Sequence, residues 1–259
     1  MNRQPAVAGS FYPANPQQLQ QQLTQYLHEA DTSAKVPKAI IVPHAGYIYS
    51  GPIAASAYSR LKKAHATIKR VVIIGPSHHV AFKGLAISHA DSFNTPLGNV
   101  PVDEFALEGI MHLPFIYIIE QAHNQEHSLE VHLPFLQAVL DDFSIIPIVA
   151  GDATPQQVSQ VLELLWGGSE TLIVISSDLS HYHNYATAQQ LDQVTNKAIE
   201  TLHFEQLSYD SACGRVPVSG LLKLAQDKEL TVKNIDLRNS GDTAGDKQRV
   251  VGYGAYVIE

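Results

Sequence analysis

Residues Arg70–Val80, RVVIIGPSHHV, constrain the fold more than any other stretch of the chain. Val71 to Ile74 are four β-branched apolar residues without polar alternation. That pattern belongs to a strand buried on both faces, as in a parallel sheet covered by helices. Gly75-Pro76 ends it, because proline has no N–H to give to a central ladder. Ser77, His78 and His79 follow at once. Open α/β sheets bind ligands in the crevice outside the carboxyl ends of their strands. A rigid strand that ends in imidazoles therefore points to a site.

Three more runs of the same kind occur. Ala39–Val42 stops at Pro43-His44. Ser144–Val149 stops at Ala150-Gly151-Asp152. Thr171–Ile175 leads into Ser176-Ser177-Asp178-Leu179-Ser180-His181-Tyr182-His183. Between the first run and Val71–Ile74 lies a Gly-punctuated loop with Tyr47 and Tyr49, after which Pro52 opens a helix, Ile53–Lys62. A strand, a helix and a strand within about 35 residues make a βαβ unit with a right-handed crossover.

Asn15-Pro16 and Thr154-Pro155 each pair an N-cap with a first-position proline. They predict helices to about Ala30, with Leu19, Leu23 and Leu27 on one face, and to Trp166. Glu126–His132 enters a helix to about Asp141, with Pro134 near its start. Further helices are expected over Asp103–His112, Ala188–Leu202 and Ser219–Ala225. Shorter strands are expected at Leu85–Ser88 and Phe115–Ile119, a turn at Asn94–Asn99, and two tail strands at Leu230–Leu237 and Gln248–Ile258. With no internal repeat or separating linker, residues 1–259 read as one α/β domain with a mostly parallel or mixed central sheet.

Composition narrows the function. The 259 residues are 45% apolar and 16% charged, with a net charge of −8. No Lys/Arg cluster is dense enough to track phosphates, which disfavours nucleic acid as a partner. The N-terminus lacks the apolar core of a signal peptide, and no run approaches ~18 apolar residues, so no membrane span is expected. The single cysteine, Cys213, cannot form an internal disulfide, and a cytoplasmic location is the default.

Three strand ends carry histidine: His44, His78-His79, and Asp178 followed by His181. If those strands are parallel, topology alone brings the three tips to one edge. Imidazole is the commonest metal ligand, and its second nitrogen needs a partner to fix the tautomer. Asp178 is placed to do this for His181, as Glu126 is for His127. His127 heads its predicted helix and is the better site candidate of that segment, with His132 left to the core or surface. Cys213 sits beside Gly214, which permits close approach, and Arg215, which would lower the thiol pKa. A thiolate there would bind metal or act as a nucleophile. Two histidines and a thiolate suit Fe(II), Cu or Zn better than Mg or Ca. Tyr12, Tyr47 and Tyr49 are expected to wall a pocket for a flat or aromatic ligand. A zinc hydrolase with Glu126 as base is a weaker reading, because no His-Glu-x-x-His spacing exists.

At these residues the sequence resembles the Memo family, named for a mediator of receptor-driven cell motility. The likeness runs nearly the whole length. It is carried in order by Ala8-Gly9-Ser10-Phe11-Tyr12, Pro43-His44-Ala45-Gly46-Tyr47, Gly75-Pro76-Ser77-His78-His79, Asn94-Thr95-Pro96-Leu97-Gly98, Glu126-His127-Ser128-Leu129-Glu130-Val131-His132-Leu133-Pro134, Ser176-Ser177-Asp178 and Cys213-Gly214-Arg215. The resemblance implies a three-layer αβα fold like that of class III extradiol dioxygenases, which are non-haem iron enzymes. It implies His44, His78 and Cys213 as metal ligands, with Asp178 and His181 beside the metal and His181 at the acid/base position. Tyr12, Tyr47, His79, Glu126, His127 and Arg215 are then the expected pocket residues. Fe(II) is the first expectation, with Cu or Zn as alternatives. The ring-cleaving enzymes complete their ligand set with a carboxylate where this chain has cysteine, so their activity does not transfer with the fold. The family also implies phosphotyrosine-peptide binding in animals, and radical-SAM and AMMECR-type partner proteins in prokaryotes. The two functions to separate are thus a metal-dependent oxidoreductase acting on a small molecule, and a peptide- or partner-binding scaffold on a retired enzyme fold.

Overall fold

The computed structural model describes residues 1–30 and 35–259. In chain order the elements are β1 (Asn2–Arg3), α1 (Pro16–Glu29), β2 (Ala39–Val42), α2 (Tyr47–Tyr58), β3 (Arg70–Pro76), β4 (Leu85–Ile87), β5 (Ser92–Thr95), β6 (Gly98–Pro101), α3 (Glu104–Ile110), β7 (Ile116–Ile118) and α4 (Glu120–Asn124). There follow α5 (Leu133–Val139), β8 (Ser144–Ala150), α6 (Pro155–Leu164), β9 (Thr171–Ser176), β10 (His181–His183), α7 (Tyr185–Glu200), α8 (Arg215–Asp227), β11 (Val232–Asn239) and β12 (Val250–Ile258).

Nine strands form the main sheet in the order β10-β12-β2-β9-β3-β8-β4-β7, with β11 pairing β12. The centre, β2-β9-β3-β8, is parallel. β12 joins β2 antiparallel, and β4 joins β8 antiparallel, so the sheet is mixed. Every residue of β2 and β9, and Val71–Ile74 of β3, is buried. Burying each such side chain is worth ~1.5–3 kcal/mol, which makes these strands rigid supports. Helices cover both faces: α1, α2 and α5 pack together with α2 on β2 and β12, while α6 packs on α8, which lies on β3 and β9. No helix among the described residues is long and apolar enough to cross a membrane.

The register decides where the site is. Val42 pairs with Ser176, Ile74 pairs with Ile175, and Pro76 pairs with Ala150. The carboxyl ends of β2, β9, β3 and β8 therefore lie along one edge. His44 leaves that edge two residues after β2, and His78 two residues after β3.

The expected caps are present. Asn15 accepts from the Gln18 amide with Pro16 at the first helical position, and Thr154 with Gln157 forms a capping box. Two local expectations are corrected, and a third is met. α2 begins at Tyr47, and Pro52 lies inside it rather than opening it. Its start is held from outside, since the Tyr47 amide donates to the Phe11 carbonyl at 2.8 Å, a contact the local sequence does not carry. Residues 126–129 are not helical, because the Glu126 carboxylate turns back on the Ser128 amide at 2.9 Å; α5 starts only at Leu133. The turn at 94–99 closes a small hairpin, β5-β6, on which β1 pairs.

Candidate metal centre

Ligand atoms of His44, His78 and Cys213 all lie within 4.8 Å of one another. His44 Nε2 and Cys213 Sγ are 3.3 Å apart, and the two imidazole rings meet edge to face with centroids at 5.1 Å. Donors bound to one transition-metal ion at ~2.0–2.3 Å stand about 3–4 Å from each other. The donor set thus fits a single soft or borderline metal in type, and the His44–Cys213 separation of 3.3 Å fits it in spacing.

Both imidazoles are fixed from behind. The His78 ring places Nδ1 2.8 Å from Glu126 Oε1, while the His78 amide donates to Glu126 Oε2 at 2.6 Å. Glu126 is 2% exposed. Burial pushes its carboxyl up, but the bonds and charge of His78 and the Ser128 amide outweigh this and hold it at about 2. Burial also lowers His78, yet the bond to Glu126 and its charge win and keep it above the ordinary value. Glu126 thus takes His78 Nδ1 as its partner and leaves Nε2 as the ring's free nitrogen. His44 is buried, with Nδ1 2.6 Å from Ser176 Oγ and its amide donating to Asp178 Oδ1 at 2.8 Å. Burial, reinforced by the neighbouring imidazoles, holds His44 well below the usual range, so it is neutral.

Cys213 is carried by the loop ahead of α8. Gly214 is needed there, because a Cβ would meet Ser177 Cβ at 2.6 Å. Burial first, then the Asp178 carboxylate, push the thiol up, while the Asp178 amide 3.3 Å away opposes them. Arg215 does not act on the sulfur as its sequence position suggested. Its guanidinium lies over the Tyr209 ring, 3.5 Å from the centroid. A coordinated cation would itself deprotonate the thiol. Asp178 is raised to about 6 by burial, against the pull of His181 and of the His44 and Ala45 amides.

These groups open into a cavity of about 830 Å³. Its wall includes Phe11, Tyr49, His127, Asp178, His181, Tyr182, His183 and Tyr253. His127 stacks on His78 with centroids at 4.5 Å, and burial lowers it to about 4. Three successive residues, His181 to His183, reach the cavity. A regular strand cannot do this, but the pairing with β12 is bulged between His181 and His183, and Tyr182 has a φ of 63°.

Other expected site residues fall elsewhere. Tyr12 and Tyr47 are buried beneath the cavity wall, with the Tyr12 hydroxyl on Glu130 and that of Tyr47 on the Val131 carbonyl; Tyr49 and Tyr253 stand on the wall instead. His79 is exposed and off the wall, its ring 6.3 Å from His127. Glu126 serves His78 across the fold, while its neighbour His127 is 3.6 Å away, so it is no free base. No hydrogen bond joins Asp178 to His181 among the described residues. Asp178 turns back to the His44 and Ala45 amides, and its link to His181 is one of charge.

Sequence reasoning missed three groups. Ser176 Oγ lies 2.6 Å from His44 Nδ1, 2.8 Å from His132 Nε2 and 2.6 Å from the Ser128 carbonyl. His132 is buried behind it and lowered to about 3 by burial. Glu130, also buried, accepts from Arg3 Nη1, the Ala6 and Val7 amides and the Tyr12 hydroxyl, and so anchors the N-terminal segment that brings Phe11 to the cavity. Glu130 and His132 stand in the Glu126–Pro134 motif, but nothing in the local sequence names their partners.

Comparison with known proteins agrees with the motifs. The family profile described as Memo-like protein matches residues 3–257. A MEMO1 family protein of Sulfolobus acidocaldarius is 38% identical over 280 residues, covering 98% of each chain. One from Aquifex aeolicus is 38% identical over 266 residues, covering 97% of each. The crystal structure of an uncharacterized protein from Escherichia coli K12 superposes with a TM-score of 0.51 at 10% identity, over 85% of this chain and 98% of that one; this is a likeness of fold.

Proposed function

Since the chain belongs to the Memo family, we propose that it is a metal-dependent redox protein in which His44, His78 and Cys213 hold one transition-metal ion, iron(II) first and copper or zinc otherwise. The observation that carries this reading is the meeting of three donor atoms from three separate loops within 4.8 Å, with both imidazoles already held through their other nitrogen. Histidine and thiolate donors favour these metals over magnesium or calcium. The ion would supply Lewis acidity and, as iron or copper, one-electron chemistry.

The rest falls to the chain's own residues. His181 on the cavity wall is the group placed to give or take a proton at a bound molecule. Asp178 holds the His44 backbone in place through its amide. Phe11, Tyr49 and Tyr253 offer flat apolar surface in a cavity of the size that suits a small organic substrate. Ring cleavage is not inferred, because a thiolate stands where the ring-cleaving enzymes have a carboxylate. The setting proposed is the cytoplasm, where a lone thiol stays reduced. Radical-SAM and AMMECR-type partners are proposed on family resemblance alone.

The test is elemental analysis of protein purified anaerobically without added metal. Close to one equivalent of a transition metal, lost in Cys213→Ala, is expected. Less than about a tenth of an equivalent, unchanged by that substitution, overturns the proposal. The scaffold reading is favoured by one observation: Ile48, Tyr182 and Tyr209 are 55%, 64% and 76% exposed at the cavity mouth, where a peptide would cover them. It gains if His44→Ala and His78→Ala weaken partner binding in a protein that never held metal.

A further inference from the structure

We propose that Ser176 is the positioning residue that prepares His44 for its task, by locking it in the Nδ1–H form with the Nε2 lone pair facing Cys213. The consequence for metal binding rests on the reading of His44 as a ligand; the proton arrangement itself does not.

Three polar atoms surround the buried Ser176 hydroxyl at 2.6–2.8 Å: the Ser128 carbonyl oxygen, His44 Nδ1 and His132 Nε2. Each such contact needs a hydrogen between its heavy atoms, so three are needed. A hydroxyl has one hydrogen and two lone pairs, and a carbonyl oxygen has none to give. The serine proton therefore goes to Ser128, and both rings must donate. His44 carries its proton on Nδ1 and His132 carries its own on Nε2. In the neutral ring this leaves His44 Nε2 as a bare lone pair 3.3 Å from Cys213 Sγ.

The opposite assignment fails on the same count. With the proton on His44 Nε2, Nδ1 would claim the only hydroxyl hydrogen. The Ser128 carbonyl and the Ser176 oxygen would then face each other at 2.6 Å with lone pairs alone, in a site without water access. The fold fixes the junction from two sides. Ser176 pairs with Val42 in the parallel register, two residues before His44, and Asp178 grips the His44 amide. His132 fills the second lone pair of the hydroxyl, so all three of its bonding positions are taken.

The experiment uses the full chain with ¹⁵N-labelled histidine, free of metal, and reads ring tautomers from long-range ¹H–¹⁵N correlations, assigned with His44→Gln and His132→Gln. His44 is expected in the Nδ1–H form and His132 in the Nε2–H form. Ser176→Ala should release His44 from that form and weaken iron(II) and zinc binding about tenfold to a hundredfold, and Ser176→Thr should restore both. An Nε2–H ring at His44 in the wild type overturns the proposal, as does Ser176→Ala with unchanged tautomer and affinity. If the wild type binds no metal, the metal reading fails, yet the tautomer spectrum still decides the role of Ser176. If Ser176→Ala does not fold, the wild-type and Ser176→Thr spectra decide it.

Discussion

Replacing Glu130 with glutamine tests how the N-terminal segment is tied to the site. The carboxylate is wholly buried and accepts four hydrogen bonds: from Arg3 Nη1 at 2.5 Å, Ala6 N at 2.7 Å, Val7 N at 3.0 Å and the Tyr12 hydroxyl at 2.6 Å. Arg3 is 6% exposed and pairs with no other carboxylate among the described residues; its remaining bonds go to the His123 and Glu126 carbonyls. Glutamine keeps the shape but removes the charge, and its NH₂ group cannot accept from the donors that now face it. Leaving a buried cation uncompensated costs about 3–5 kcal/mol. For a chain of this size that is a fall of roughly 6–20 °C in Tm. Urea denaturation read by circular dichroism, with Arg3→Met and the double variant completing a cycle, measures it. The double variant should recover at least about 1.5 kcal/mol of the summed loss, since the stranded charge has gone. Phe11 fluorescence is too weak to follow, but loss of the Tyr47 amide bond to Phe11 should appear as faster amide exchange at Tyr47. A change below 1 kcal/mol in Glu130→Gln, or strict additivity in the cycle, would refute the reasoning.

Other consequences concern single residues. His123 is 1% exposed and burial lowers it to about 4, so the unfolded chain binds its proton at higher pH than the folded one. Its contribution is intact above pH ~6.5 and lost as pH falls toward 4, by ~1.4 kcal/mol per unit and ~3 kcal/mol in all. His123→Gln should flatten the stability profile over that window, as measured by urea midpoints at several pH values. Gly214→Ala drives a methyl group into Ser177 and should displace the Cys213 loop; isothermal titration with zinc should show at least a tenfold loss of affinity. Glu126→Gln removes the charge and leaves one acceptor oxygen for the three donors that the carboxylate serves, and should cost tenfold to a hundredfold in the same titration, whereas substituting the exposed His79 should cost nothing measurable.

The parts of the fold legible in the sequence are those set by local pattern. Val71–Ile74, Ala39–Val42 and Thr171–Ile175 are unbroken apolar runs, and their stops lie where proline, glycine or serine interrupts them. Parallel pairing then brings His44, His78 and the Asp178 segment to one edge, so most of the candidate site follows from counting residues beyond each stop. What local pattern does not carry is the pairing of polar groups distant in the chain. Glu126 reads as the partner of adjacent His127, but the fold gives it to His78 across 48 residues. Tyr12 and Tyr47 read as pocket wall, yet their hydroxyls are bonded to Glu130 and Val131 beneath it. Arg215 reads as a neighbour of the thiol, while helix α8 turns it onto Tyr209. His132, just ahead of α5, and Ser176, at the end of β9, meet across 44 residues of chain at 2.8 Å.

The most direct measurement is X-ray absorption at the metal edge of anaerobically purified protein. One sulfur scatterer at about 2.3 Å with nitrogen scatterers at about 2.0–2.2 Å, the sulfur vanishing in Cys213→Ser, is the result expected of a His44, His78 and Cys213 centre. A metal shell of oxygen and nitrogen alone in the wild type would contradict it.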